Sequence, residues 1–297
     1  MTSSNASAPV RPRRSALYVP GSNRRALDKA RTLAADALIF DLEDAVAPDS
    51  KVDARRQVTE AIASVGYGGC EIVIRVNAYG TRWWDEDMKA AVASGADAML
   101  VPKVDSPDKV SKFGDLMAIN GAPDDMQLWI MAETPEAILN IDAIAAADPR
   151  LTVIVMGTAD LAKALRLPPD PDRSGLRPAL GACVLAARAR GLDILDGVYG
   201  DFSDGRGFAA ACEQGSLLGF DGKTLIHPGQ IGAANAVFGV SEAEAAGAEE
   251  IVRAWEQAAS RGSGIAVLDG RMIEELHAQA ARRTLDLAEA IRARGRE

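Results

Sequence analysis

Glu133 and Asp160 each close an apolar run, Gln127-Leu-Trp-Ile-Met-Ala-Glu133 and Thr152-Val-Ile-Val-Met-Gly-Thr-Ala-Asp160. An isolated carboxylate is costly to desolvate, so charge at the end of a buried segment must be paired, ligated or functional. For either residue alone an ion pair to a nearby Arg or Lys is the bland reading. Two such carboxylates at neighbouring strand ends predict a hard divalent cation. Mg2+ suits the pair, because it keeps part of its water shell and leaves positions open to a substrate. Mn2+ would accept the same oxygen ligands.

Arg75 stands inside Ile72-Val-Ile-Arg75-Val. Its guanidinium is always charged and presents a planar fork to a carboxylate. It is expected to clamp a substrate carboxylate or polarise a carbonyl beside the metal, with an ion pair to Glu43 or Asp44 as the structural alternative. Strand alternation sends Asp41 and Glu43 to one face, so Glu43 should reach the site while Asp44 starts the following loop. Lys103, Arg24 and Arg25 are basic residues at strand ends that could meet phosphates.

These residues need strands to present them. Eight short aliphatic runs recur: Ser15 to Pro20, Ala37 to Glu43, Glu71 to Asn77, Ala98 to Val104, Gln127 to Glu133, Thr152 to Gly157, Ile194 to Tyr199 and Gly222 to His227. Helix-like spacing separates them, at Arg24 to Ala35, Lys51 to Val65, Trp84 to Ser94, Pro107 to Ile119, Pro135 to Ala147, Arg177 to Arg190 and Gly205 to Leu218. Such alternation means parallel strands covered by helices. Eight units in about 230 residues predict an α/β fold, a (β/α)8 TIM barrel, with the chemistry at the C-terminal ends of its strands. An open doubly wound sheet is the competitor, but no Gly-x-Gly-x-x-Gly follows the first strand. The expected organisation is a mobile tail over 1–14, the barrel over 15–238, and a C-terminal helical extension or lid over 239–297. Gly262 to Gly270 would be the break between its helices, with Gly262-Ser-Gly264 as a hinge.

The composition excludes several functions. A formal net charge of -9 argues against a nucleic-acid binder, and no apolar stretch is long enough to span a bilayer. The 3 cysteines, Cys70, Cys183 and Cys212, are widely spaced, which fits a reducing cytoplasm better than a disulfide framework. His227, next to Pro228, reads as a structural hydrogen-bonder.

The motifs resemble the citrate lyase β-subunit and malyl-CoA lyase group of the HpcH/HpaI aldolase superfamily. The matching pieces are Arg14-Ser-Ala-Leu-Tyr18-Val-Pro-Gly21, Asp41-Leu-Glu-Asp-Ala-Val46, Ile74-Arg-Val-Asn77, Val101-Pro-Lys103, Ala132-Glu-Thr134, Gly157-Thr158-Ala-Asp-Leu161, Tyr199-Gly-Asp-Phe-Ser-Asp204 and Gly219-Phe-Asp-Gly-Lys-Thr-Leu-Ile-His-Pro228. The resemblance implies a (β/α)8 barrel assembled as a homotrimer or homohexamer. It implies Mg2+ on Glu133 and Asp160, Arg75 on the keto acid, and an acyl thioester of coenzyme A or an acyl-carrier protein as substrate. Arg14, Tyr18, Arg24, Lys103, Gly157 and Thr158 are the expected substrate contacts, and Glu43 and Asp44 join Arg75 as catalytic candidates. A late acidic residue is implied too, here Glu274 in Met272-Ile-Glu274, where the family has Asp; Asp269 is the fallback. The implied reaction is carbon–carbon cleavage of a 3-hydroxy-3-carboxy acyl thioester such as malyl-, citramalyl- or citryl-CoA. Its rivals are a malyl-CoA thioesterase, a class II hydroxy-keto-acid aldolase and a non-catalytic binding subunit.

Overall fold

The computed structural model describes residues 10–64 and 66–294. Eight parallel strands close into a barrel in sequence order. They are β1 (Ser15–Pro20), β2 (Ala37–Asp41), β3 (Glu71–Arg75), β4 (Ala98–Val101), β5 (Gln127–Ala132), β6 (Leu151–Met156), β7 (Asp193–Asp196) and β8 (Gly222–Leu225). Closure is completed by β1 pairing with β8 at Ser15–Lys223, Ala16–Thr224 and Leu17–Leu225. The expected strands are all present, but most stop one to three residues earlier than their apolar runs. Val76 and Asn77, for example, stay buried beyond the last residue of β3, and the Val76 N–H still donates to the Leu100 carbonyl at 3.1 Å.

Strand alternation divides the apolar residues into two sets. Ala16, Ala37, Ile39, Val73, Ala98, Leu100, Trp129, Met131, Val153, Val155 and Leu195 fill the inside of the barrel. The opposite face, with Leu38, Phe40, Ile74, Met99, Ile130 and Ile154, packs under the helices. The covering helices are α1 (Arg24–Ala30), α2 (Lys51–Ala63), α3 (Trp84–Ala93), α4 (Pro107–Ile119), α5 (Pro135–Leu139), α6 (Ile141–Ala145), α7 (Thr158–Ala164), α8 (Arg177–Arg190), α9 (Gly205–Leu218) and α10 (Ile231–Val237). The expected helix over 135–147 is broken at Asn140, and α7 and α10 were not expected.

The tail assignment needs correcting at its inner end, while residues 1–9 lie outside the described residues. Arg13 plugs the barrel at the N-terminal ends of the strands, pairing with Glu71 (2.7 Å) and Asp193 (2.6 Å) and donating to Gln127 (2.9 Å). Removing one partner of such a buried cluster strands a charge, at a cost of about 3–5 kcal/mol. The compact barrel unit accordingly runs from Arg13 to Phe238.

The C-terminal unit is built from α11 (Glu242–Ala259), the antiparallel pair β9 (Ala266–Leu268) and β10 (Arg271–Ile273), and α12 (Glu275–Arg294). Ser241 and Glu244 form a capping box at the start of α11. Among the described residues no helix is long and apolar enough to cross a membrane.

Candidate active site

Asp41 and Arg75 end adjacent strands as direct partners in the β2–β3 register. Both continue the inward-facing alternation of their strands, so a carboxylate and a guanidinium meet inside the barrel at its C-terminal end. Arg75 Nε and Nη2 donate to the two Asp41 oxygens at 2.7 and 2.6 Å, and Nη1 lies 3.1 Å from Glu43 Oε2. The Tyr18 ring lies against the guanidinium, 4.6 Å from centroid to Cζ. Burial disfavours the Arg75 charge, but the Asp41 hydrogen bonds and the surrounding carboxylates outweigh it and raise the pKa. Arg75 is therefore a fixed cation. Burial also raises the Tyr18 pKa, against the pull of Arg75, so the phenol keeps its proton.

Glu43 carries the network towards the next strands. Its Oε1 accepts from Lys103 Nζ at 2.5 Å, while Oε2 is buried without a hydrogen-bond donor and sees Arg75 only as a charge. Burial raises the Glu43 pKa, with Arg75 and Lys103 opposing it. The loop bearing Glu43 is fixed from below: Asp41 accepts the Glu43 and Ala45 N–H groups, and Lys51 Nζ donates to the Leu42 and Glu43 carbonyls.

Glu133 follows Gln127, Trp129 and Met131 on the inward face of β5 and is buried. Its Oε1 accepts the backbone N–H of Lys103 at 2.7 Å. Asp160 is not at a strand end, contrary to expectation. β6 stops at Met156, the chain turns at Gly157, and Asp160 sits half-buried in the first turn of α7. Gly157 allows the approach, since a Cβ there would lie 2.3 Å from Glu133 Cβ and 2.4 Å from Oε2. Glu133 and Asp160 share the wall of a cavity of about 410 Å³ with Thr134, Tyr79, Lys103 and Lys109.

The donor set fits a hard cation. Burial pushes the Glu133 carboxyl up to about 7; the Lys103 N–H pulls it down, and the Glu43 and Asp160 charges push it further up. A divalent ion would relieve that repulsion. Among the described residues no group of three His, Cys, Asp or Glu side chains is arranged for a metal. Two carboxylates alone would leave the remaining positions to water and substrate oxygens, the arrangement Mg2+ tolerates. Arg75 does not line this cavity; it is joined to it through Glu43 and Lys103.

The other expected contacts divide. Arg14 is misassigned to the substrate, because it binds Asp36 through Nε and Nη2 (2.7 and 2.9 Å) at the N-terminal ends of the strands, the wrong end of the barrel. Arg24 is spent on the surface, 3.6 Å from Asp28 and 3.4 Å from Glu60. The Lys103 ammonium is held by Glu43, and Asp44 is exposed and 3.9 Å from Arg75. Thr158 is buried against Gly197. Glu274 belongs to the C-terminal unit, where its N–H donates to His277 Nδ1 (3.0 Å) before α12; Asp269 lies in the β9–β10 turn with φ 49. His227 Nδ1 accepts the Gly229 N–H at 3.0 Å, capping the short turn after β8. Sequence reasoning missed the Asp41 clamp, although alternation had placed Asp41 on the Glu43 face, and it missed the Lys103 backbone contact, which left no sequence signal.

A family model described as HpcH/HpaI aldolase/citrate lyase matches residues 14–228. The chain is 51% identical over 282 residues to a (3S)-malyl-CoA thioesterase of Cereibacter sphaeroides (strain KD131), spanning 95% of this chain and 96% of that protein. It is 34% identical over 291 residues to an L-malyl-CoA/beta-methylmalyl-CoA lyase of Rhodobacter capsulatus, with 90% and 92% covered. The solved structure of CitE from Mycobacterium tuberculosis in complex with magnesium, acetoacetate and coenzyme A superposes with a TM-score of 0.72. That structure is 27% identical, covering 96% of this chain and 99% of the other.

Proposed function

The chain belongs to the HpcH/HpaI aldolase/citrate lyase family, and from that premise we propose that it hydrolyses the thioester of a 3-hydroxy-3-carboxy acyl-CoA of the malyl-CoA type, with Mg2+ as cofactor. The observation that carries this reading is the pairing of Glu133 with Asp160 on one cavity wall in a chain 51% identical, over nearly its full length, to a malyl-CoA thioesterase. Glu133 and Asp160 would hold the ion, which when bound supplies Lewis acidity to the oxygens of the substrate. Arg75, kept charged and oriented by Asp41, offers fixed positive charge to a carboxylate or a developing oxyanion. Glu43, buried, with a raised pKa and one oxygen lacking a donor, is the group to take a proton from attacking water. The three free cysteines support a reducing cytoplasm, and assembly as a homo-oligomer is part of the same proposal.

Carbon–carbon cleavage is the second reading, favoured by the likeness to the malyl-CoA lyase and to CitE. It uses the same groups, with Arg75 on the keto acid and the proton delivered to the enolate of the acyl thioester. Incubation with malyl-CoA and Mg2+ separates the two. Malate with free coenzyme A means hydrolysis; glyoxylate with acetyl-CoA means cleavage. Cleavage without hydrolysis, or release of neither a hydroxy acid with free coenzyme A nor a keto acid with acetyl-CoA from malyl-, citramalyl- and citryl-CoA, would overturn the proposal.

A further inference from the structure

Lys103 has a left-handed backbone, φ 56, directly after Pro102 and before the fully buried Val104. That conformation is sterically unfavourable for a residue with a Cβ, and it persists where the surroundings demand it. Two demands meet at Lys103. Its backbone N–H lies 2.7 Å from Glu133 Oε1, and its ammonium lies 2.5 Å from Glu43 Oε1. Glu43 in turn sits 3.1 Å from Arg75. One residue at the end of β4 therefore touches a carboxylate of the metal pair with its main chain and the Arg75 side of the site with its side chain.

We propose that Lys103 is a positioning residue that sets both halves of the site independently. The left-handed turn aims its N–H at Glu133 and so fixes one metal ligand, while the ammonium holds Glu43 against Arg75. This rests on the reading of Glu133 and Asp160 as a metal pair. It predicts that the main-chain and side-chain roles come apart in suitably chosen variants.

The test measures Mn2+ affinity by electron paramagnetic resonance without substrate, and kcat and KM with malyl-CoA, in Lys103→Gly, Lys103→Val, Lys103→Met and Lys103→Arg. Glycine adopts the left-handed backbone freely and keeps the N–H, so K103G should bind Mn2+ within about twofold of wild type. K103G and K103M should lose about tenfold or more in kcat with KM changed by less than about threefold, and K103R should recover much of that loss. Valine resists positive φ, so K103V should bind Mn2+ about fivefold or more weakly; Lys103→Thr is the second β-branched probe should K103V not fold. Wild-type metal affinity in both β-branched variants would overturn the main-chain role, and wild-type kcat in K103M would overturn the side-chain role. If wild-type protein binds no Mn2+, or Glu133→Ala binds it equally well, the metal reading fails and this inference with it. If wild type binds Mn2+ through Glu133 and every Lys103 variant matches it in affinity and kcat, this inference fails alone.

Discussion

Replacing Gly157 with alanine tests how tightly the carboxylate pair is built. The backbone at Gly157 (φ -90, ψ 70) is open to alanine, so the effect is steric rather than conformational. The added carbon would sit 2.3 Å from Glu133 Cβ and 2.4 Å from its Oε2, where ordinary contact begins near 3.4 Å. Glu133 cannot simply swing aside, because its Cβ is struck as well and Oε1 is held by the Lys103 N–H. The carboxylate or the β6–α7 corner must move by about 1 Å, a displacement that costs on the order of 100-fold when it misplaces a catalytic group. Overpacking should lower stability by about 1–3 kcal/mol. Divalent-ion titration and thioester-cleavage kinetics, with circular dichroism as a check on folding, read the outcome. Gly157→Ala with wild-type metal affinity and turnover would refute the account of how Glu133 is placed.

Other outcomes follow from the same geometry. Arg75→Lys loses the two-point grip on Asp41 and should reduce kcat/KM by about 100-fold or more, measured with malyl-CoA. Arg14→Ala should leave turnover near wild type and cost about 1–3 kcal/mol in chemical denaturation, because its partner Asp36 is buried far from the strand C-termini. Glu133, with its carboxyl pushed up to about 7, takes up a proton on folding between the ordinary carboxylate range and 7. The folded state then holds more protons than the unfolded one, so metal-free stability should fall as pH rises through that window. Mg2+ should reverse the fall and bind more tightly as pH rises, as differential scanning calorimetry at several pH values would record.

The barrel was legible because its strands are buried on both faces and read as unbroken apolar runs, with amphipathic stretches between. The strand ends were less legible, since Leu42, Val76 and Val104 stay in the core beyond the last strand residue, and the Leu42 and Val76 N–H groups still bond to the neighbouring strands. α7 escaped notice because it follows β6 with only Gly157 between, so Asp160 read as the close of the strand's run rather than as part of a helix. Glu133, Arg75 and Glu43 stood out as candidates because charge beside buried apolar runs is conspicuous in a sequence. Arg14 precedes Ser15–Pro20, so chain direction alone puts it at the N-terminal end of β1; only the resemblance of the surrounding motif made it a substrate contact. The left-handed turn at Lys103 is a backbone property that its side chain does not announce.

The most direct measurement is anomalous diffraction from crystals grown with Mn2+. One ion per chain is expected, held by Glu133 and Asp160 and lost in Asp160→Ala. An ion bound elsewhere, or undiminished occupancy in that variant, would contradict that expectation.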